Sequence, residues 1–291
     1  MTTQILSGNR LSAEIAQILK TKVAAQTAQG RRPPQLAVVL VGEDPASRIY
    51  VRRKQEVSQQ IGITSTKYHL PETADTHEVL DLIQTLNQDI NTDGILVQMP
   101  LPAHLQNENI KEKIIEHIHP RKDVDGFHPY NLGRLAQGYP LLRPCTPYGI
   151  IKLLQYYEIS LKGLHAVVVG ASTIVGRPLA LELLLAGATV TICHSKTVDL
   201  KKHIQAASLL ISATGRRNLI AGEWIKKDAI VVDVGIHRLD NGTLCGDMDF
   251  ESAAEHASYI TPVPGGVGPM TVAMLMENTW QAYLSFQEEA Q

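Results

Sequence analysis

The sequence predicts an α/β fold in two blocks, and three observations carry that expectation. The chain has 291 residues, and at about 150 residues per domain that is room for two. Short, nearly all-apolar runs alternate with segments of helical periodicity, once before residue 100 and again after residue 163. That is the pattern of right-handed strand-helix-strand units around parallel sheets. A glycine-bearing turn, Gly170 to Gly176, directly follows the first apolar run of the second block.

In the first block, Leu11, Ile15, Ile18, Leu19 and Val23 recur at helical spacing and predict an amphipathic helix over 11–28. Arg32-Pro33-Pro34 breaks the chain. Leu36 to Val41 (LAVVLV) reads as a buried parallel strand. Asp44-Pro45 is a start signal for a helix from Ala46 to Ile61. A short strand over Thr66 to Leu70, a helix over Thr76 to Ile90 and a buried strand over Gly94 to Met99 complete the block. Residues 100–145, punctuated by six prolines such as Pro100, Pro120 and Pro144 with a seventh at Pro147 just beyond, read as irregular chain: a candidate linker and site-bearing region. The second block gives a strand over Ala166 to Val169, a helix over Gly176 to Gly187, and strands over Thr189 to Cys193, Leu209 to Ala213, Ala229 to Val234 and Tyr259 to Pro262. Met270 to Phe286 closes it as a helix started by Pro269. Residues 103–118 and 237–258 give no readable signal.

Composition narrows the function. Apolar residues make up 44% and charged residues 19%, enough for two folded cores. A net charge of -2 exerts no long-range pull on nucleic acid or anionic lipid, and 5% aromatics leaves little for base stacking. No apolar run approaches the ~20 residues of a membrane span. The start, MTTQILSGNR, lacks the apolar core of a signal peptide. Three widely spaced cysteines, Cys145, Cys193 and Cys245, form no CxxC. They argue against a disulfide framework or zinc site and fit a reducing cytoplasm.

Five segments could carry chemistry. GASTIVG, Gly170 to Gly176, stands where a dinucleotide fold turns its backbone amides and a helix N-terminus toward pyrophosphate. It departs from GxGxxG, with Ser172 and Val175 at the second and third glycine places; the plain alternative is a tight turn. At the end of the next strand, His194-Ser195-Lys196 offers a hydroxyl and a cation but no carboxylate, which favours NADP over NAD. Tyr50 and Lys54 share a helix face at i and i+4. Their Tyr-x-x-x-Lys spacing is that of short-chain dehydrogenases, but those place the glycine turn first, and here the pair lies far before it. Arg52 and Arg53 make a solvated basic face the competing reading. Gln98 ends a buried strand, either a satisfied core amide or a site residue. In Lys122-Asp123-Val124-Asp125-Gly126 the carboxylates lack the later ligands of a calcium loop, so no metal is expected, and His117 and His119 do not supply one. The glycine-rich Thr261 to Pro269 permits close backbone approach to a ligand, or is a hinge into the last helix.

Taken in order, SRIYVRRK (Ser47 to Lys54), DGILVQMPLP (Asp93 to Pro102), KDVDGFHPYNLGRL (Lys122 to Leu135), CTPYGI (Cys145 to Ile150), VVVGASTIVGRPLA (Val167 to Ala180), VVDVGI (Val231 to Ile236) and TPVPGGVGPMT (Thr261 to Thr271) span nearly the whole chain. Together they resemble the bifunctional methylenetetrahydrofolate dehydrogenase/cyclohydrolase family. The resemblance implies two α/β domains with a cleft between them: an N-terminal catalytic domain, 1–144 completed by the C-terminal helix 270–291, and a Rossmann-like NADP-binding domain, 145–269. It implies oxidation of 5,10-methylenetetrahydrofolate with NADP, then hydrolysis of the methenyl product to 10-formyltetrahydrofolate. Lys54 would be the acid/base residue, a role that asks for a lysine able to release its proton near neutral pH. Gln98 would orient it, Tyr50 would stack on the folate, Asp125 would hold the pterin, and Ser47 would support the Lys54 environment. Pro264, Gly265, Gly266 and Val267 would line the folate pocket. Gly170, Ala171 and Ser172 would meet the cofactor phosphates, Ser195 the adenosine ribose, and the Ile236 backbone the nicotinamide. Many family members carry Arg where this chain has Ala171; Arg177 or Lys196 would then have to read the 2′-phosphate. The resemblance also implies a cytoplasmic homodimer associating through its cofactor domains. The competing readings are a monofunctional dehydrogenase, a short-chain-type oxidoreductase and a non-catalytic dinucleotide sensor; the last has no use for Tyr50, Lys54, Gln98 and Asp125 together.

Overall fold

A computed structural model gives the fold, and residues 3–289 are described. In chain order the elements are β1 (Gln4–Ile5), α1 (Gly8–Ala28), β2 (Gln35–Val41), α2 (Pro45–Ile61), β3 (Thr64–Leu70), α3 (Thr76–Gln88), β4 (Gly94–Val97), α4 (Glu108–His117), α5 (Pro129–Ala136) and α6 (Cys145–Tyr156). There follow β5 (His165–Val169), α7 (Gly176–Leu185), β6 (Thr189–Cys193), α8 (Leu200–Ala206), β7 (Leu209–Ser212), β8 (Ala229–Asp233), β9 (His237–Arg238), β10 (Leu244–Cys245), α9 (Phe250–Ala254), β11 (Ala257–Ile260) and α10 (Val267–Glu289). The chain divides into two compact units.

One unit, Glu14–Cys145 with the chain from Leu275, is built on a three-stranded parallel sheet in the order β3-β2-β4. Its central strand, β2, is apolar because both faces are covered: Leu36 to Val41 are all buried. Ala37, Val39, Ile95 and Val97 pack with Val79, Ile83 and Leu86 of α3 and with Ile114 of α4. β2 leads to β3 on one side, and the chain then returns to β4 on the other. That reversal opens a crevice at the carboxyl ends of β2 and β4, where parallel sheets bind ligands.

The other unit, residues 3–13 with Thr146–Met274, carries a six-stranded, all-parallel sheet in the order β1-β11-β8-β7-β5-β6. Here the order reverses between β5 and β7, which places the crevice after Val169 and Ser212. A small antiparallel ribbon, β9-β10, lies apart from it.

Most predicted elements stand within a few residues of their expected ends, and the differences have physical causes. The N-terminus groups with the six-stranded unit, not with residues 14–145 as expected. β1 pairs in parallel with β11, and the Thr3 hydroxyl donates to the carbonyls of Ala254 and Ala257 at 2.6 and 2.9 Å. Residues 270–274 also group there, while residues 290–291 of the expected closing segment lie outside the described residues. The stretch 100–145, read as irregular, holds α4 and α5. α4 shows the core only Ile114 and, in part, Ile110, too narrow an apolar stripe to stand out in sequence. The unread 237–258 holds the β9-β10 ribbon and α9.

Lys122 explains why α3 stops where it does. Its buried ammonium donates to the carbonyls of Leu86, Asn87 and Asp89 at 3.0, 2.8 and 2.8 Å, satisfying groups that a helix end leaves open. Burial pushes the Lys122 pKa down. Replacement by an isosteric apolar side chain, Lys122→Met, strands three carbonyls and is expected to cost about 2–3 kcal/mol. Urea denaturation checks this; a loss below about 0.5 kcal/mol would refute the capping role.

Candidate active site

In the three-stranded unit the site begins with the start of α2. The Asp44 carboxylate caps the helix by accepting from the Ser47 amide at 2.7 Å, and Pro45 occupies the first turn. Ser47, Tyr50, Lys54 and Ser58 then recur at three- and four-residue spacing and share one face. Lys54 is 8% exposed, and its Nζ donates to Gln98 Oε1 at 2.9 Å. Gln98, 9% exposed, stands just past β4, at the sheet's carboxyl end. Its Nε2 donates to the Met99 carbonyl at 2.6 Å, which fixes the amide with its oxygen toward the lysine. The Ser47 hydroxyl donates to the same Met99 carbonyl at 3.4 Å, so Ser47 reaches Lys54 through this carbonyl and the Gln98 amide. Tyr50 is half-buried; burial pushes its hydroxyl pKa up, and Arg53 pulls it partly back.

The Lys122 to Gly126 motif divides its labour. Asp123 is buried and structural: it accepts from the His128 amide at 2.8 Å, Asn131 Nδ2 at 2.9 Å and the Gly126 amide at 3.2 Å. His128 caps α5 by accepting from the Tyr130 amide at 3.0 Å. Gly126, at φ +78°, lies against the Arg143 to Pro144 backbone, with no room for a Cβ. Asp125 differs. Its carboxyl accepts no hydrogen bond among the described residues, and crowding by protein pushes its pKa up to about 6, against the pull of the Lys54 charge. Lys54, Gln98 and Asp125 therefore form one cluster. Among the described residues, no group of three His, Cys, Asp or Glu is placed to hold a metal ion.

The six-stranded unit holds a second site. Gly170 follows β5 at φ +127°, and a side chain there would strike the Ala213 carbonyl; one at Gly176 would strike the Gly170 carbonyl. The Ser172 hydroxyl accepts from the amides of Val175 and Gly176 at 3.2 and 3.3 Å and so starts α7. Around this turn is a cavity of about 600 Å³. Gly170, Ala171, Ser172, Arg177, Ser195 and Arg216 line it; no carboxylate does, and neither do Lys196 or Ile236. The cradle fits a dinucleotide: a crowded glycine turn, a helix start and two guanidinium groups at the reversal of strand order. Pro264 to Val267 also belong to this unit, where the Gly265 carbonyl accepts from the amides of Gly8 and Asn9 at 2.9 and 3.2 Å and starts α1.

Two carboxylates escaped the sequence reading. Asp247 accepts from the Thr214 amide and hydroxyl at 2.7 and 2.8 Å, the Gly215 amide at 3.1 Å and His237 Nε2 at 2.8 Å. Burial pushes this carboxyl up, but those hydrogen bonds outweigh it and hold it below its ordinary range. Asp247 thereby shapes the Thr214 to Arg216 wall of the cavity. Asp233 accepts from the amides of Gly235, Asp247 and Met248 at 2.9, 3.0 and 2.9 Å, while burial takes its pKa to about 6. For Asp233 the available signal was a carboxylate ending the all-apolar run of β8, the same signal that singled out Gln98; Asp247 offered none.

A buried lysine-amide pair on one parallel sheet and a dinucleotide cradle on another define a two-domain, NAD(P)-binding α/β enzyme. The chain belongs to the tetrahydrofolate dehydrogenase/cyclohydrolase family: the family's catalytic-domain model matches residues 6–125 and its NAD(P)-binding-domain model residues 144–287. Among solved structures it is similar to the bifunctional enzyme FolD, a methylenetetrahydrofolate dehydrogenase/cyclohydrolase from Campylobacter jejuni, with 50% identity, a TM-score of 0.93 and coverage of 97% of this chain and 99% of that one. It is also similar to the Trypanosoma brucei dehydrogenase-cyclohydrolase complexed with NADP cofactor and inhibitor, with 33% identity, a TM-score of 0.92 and coverage of 100% and 99%. The NAD-dependent dehydrogenase of Saccharomyces cerevisiae shares the fold at 20% identity and a TM-score of 0.83, covering 100% of both chains. Among the described residues, no helix is long and apolar enough to cross a membrane.

The raised Asp125 pKa has a stability consequence. Its carboxyl ionises near pH 6 when folded against an ordinary 3.8, so stability falls as pH rises through that window. Asp125→Asn is expected to be more stable than the parent at pH 7.5 by about 1–2 kcal/mol, after a discount for its accessible surface, with the gain gone near pH 4. Urea midpoints at both pH values check this; a variant no more stable than the parent at pH 7.5 would contradict the burial cost.

Proposed function

We propose that the chain oxidises 5,10-methylenetetrahydrofolate to the methenyl form with NADP and hydrolyses that product to 10-formyltetrahydrofolate, within one-carbon metabolism. The observation that carries the reading is the buried hydrogen bond from Lys54 to Gln98 at 2.9 Å. When bound, NADP supplies a nicotinamide ring that takes up hydride. For hydrolysis, water adds to the methenyl carbon, and the Lys54 amine takes the proton released. Lys54 returns that proton to N5 as the bond from N5 to the one-carbon unit breaks; the remaining hydroxyl proton of the adduct leaves to solvent as the carbonyl forms, so one proton is released overall and the formyl group stays on N10. Gln98 holds the lysine in position through a neutral acceptor. Tyr50 stacks on the folate, Ser47 steadies the Met99 carbonyl, and Asp125 accepts from the paired N–H donors of the pterin. Pro264 to Val267 are assigned to the folate pocket, Gly170, Ala171 and Ser172 to the cofactor phosphates, Ser195 to the ribose and Ile236 to the nicotinamide.

NADP is preferred over NAD in this reading because two guanidinium groups and no carboxylate line the 600 Å³ cavity. Arg177 lines it and Lys196 does not, so Arg177 is the better replacement for the arginine that many relatives carry at Ala171. A homodimer through the dinucleotide unit is supported by the free sheet edge at β6 and by exposed Leu184, Leu185 and Ile192. Free Cys145, Cys193 and Cys245 support a reducing, cytoplasmic setting.

Incubation with 5,10-methylenetetrahydrofolate and either nucleotide, with the folate products separated over time, tests the whole reading. NADP reduction with 10-formyltetrahydrofolate forming above the spontaneous rate is expected; methenyl accumulating without enhanced hydrolysis would reduce the protein to a dehydrogenase. Lys54→Met is expected to lower hydrolysis by about 10³-fold and Gln98→Ala by about 10²-fold. Unchanged turnover in Lys54→Met would remove the lysine from the mechanism.

A further inference from the structure

The Asp125 carboxyl makes no hydrogen bond among the described residues, yet the backbone on both sides of it is tied down. Asn278 is 2% exposed on α10, more than 150 positions later in the chain. Its Nδ2 donates to the Val124 carbonyl and to the Arg143 carbonyl, both at 2.8 Å. The Cys145 thiol donates to the same Val124 carbonyl at 3.2 Å, and the Cys145 amide donates to the Asp125 carbonyl at 3.3 Å. One amide group thus bridges the segment before Asp125 to the Arg143 segment that runs against Gly126. Two residues earlier on the same helix, Met276 Sδ accepts from the Ser58 hydroxyl at 3.2 Å, and that hydroxyl also donates to the Lys54 carbonyl at 2.8 Å. The closing helix therefore touches the Lys54 turn of α2 and the Asp125 loop within three residues.

We propose that Asn278 is a positioning residue that sets Asp125 against Lys54 for folate binding. The role follows from the donor count. An amide NH₂ has two hydrogens, and here its two short bonds go to different carbonyls on different segments, with the Cys145 sulfur a longer third contact at 3.6 Å. No other uncharged side chain of this length supplies both. Loss of the bridge frees the Val124 to Gly126 backbone, and displacement of a substrate-holding group by about 1 Å is enough to cost binding and rate. Asn278 touches neither substrate nor cofactor in this assignment, which rests on Asp125 holding the pterin.

The test is a double-mutant cycle on the full chain. Asn278→Ala is expected to weaken tetrahydrofolate binding, read by titration calorimetry, about tenfold and to raise the KM for methylenetetrahydrofolate similarly, with the KM for NADP within twofold. In an Asp125→Asn background the same change is expected to add less than twofold to the tetrahydrofolate dissociation constant. Trp280→Leu, a buried change on the same helix, serves as a control that lowers stability without moving folate affinity. Asn278→Ser, which keeps one donor, is expected to fall between parent and alanine variant, and it carries the test if the alanine variant does not fold. Additive effects in the cycle, or unchanged folate affinity in either folded Asn278 variant, would overturn the positioning role. Unchanged affinity in Asp125→Asn itself would instead overturn the pterin assignment on which it rests.

Discussion

A buried ammonium group must find acceptors, and the partner that Lys54 finds is neutral. That choice governs the rest of the three-stranded unit. A carboxylate in the place of Gln98 would hold the proton on lysine through an ion pair whose attraction grows as water is excluded. An amide oxygen accepts one of the lysine's hydrogens without adding a charge that would lock the proton in place. The amide must in turn be prevented from flipping, and the Met99 carbonyl does so at 2.6 Å. Gln98 and Met99 sit just past the end of β4, facing the middle of α2 where Lys54 stands. The acceptor side of the pair thus depends on the carboxyl end of β4, which lies beside β2 where the strand order reverses.

Both units use that reversal, with different results. In the six-stranded unit the crevice is floored by glycine, because side chains at Gly170 and Gly176 would collide with backbone carbonyls. A phosphate-bearing ligand needs such bare backbone. In the three-stranded unit a single glycine, Gly42 at φ +78°, follows β2, and the polar groups brought together beyond the strand ends are side chains, Lys54 and Gln98. The contrast separates a site built of main chain from one built of side chains.

Elements whose faces are fully buried were legible in the sequence. β2, β4, β5, β7 and β8 are nearly continuous apolar runs, and α2 announces its start with Asp44-Pro45. Gln98 was legible for the same reason, as a polar residue interrupting such a run. Three features were not. β1 is two residues long and owes its existence to pairing with β11. α4 turns too little apolar surface inward to show a period. Asp247 and Asn278 act through backbone amides and carbonyls supplied by distant segments, and no local pattern encodes those partners. The Lys122 to Gly126 motif was visible, but its spacing alone did not show that Lys122 and Asp123 build the loop while Asp125 is left free.

That last distinction can be argued from hydrogen bonds. Asp123, Asp125 and Asp233 all have pKa values raised first by burial. Asp233 offsets the cost with three backbone amides and Asp123 with two amides and the Asn131 side chain. Each is a completed structural group whose removal would leave several donors without acceptors. Asp125 has the penalty without the compensation; the nearby Lys54 charge is the one favourable influence acting on it. Asp125 keeps part of its surface in contact with solvent, so water can supply the donors that the two other aspartates obtain from the backbone, and the pterin assignment proposed above would replace that water with ligand N–H groups.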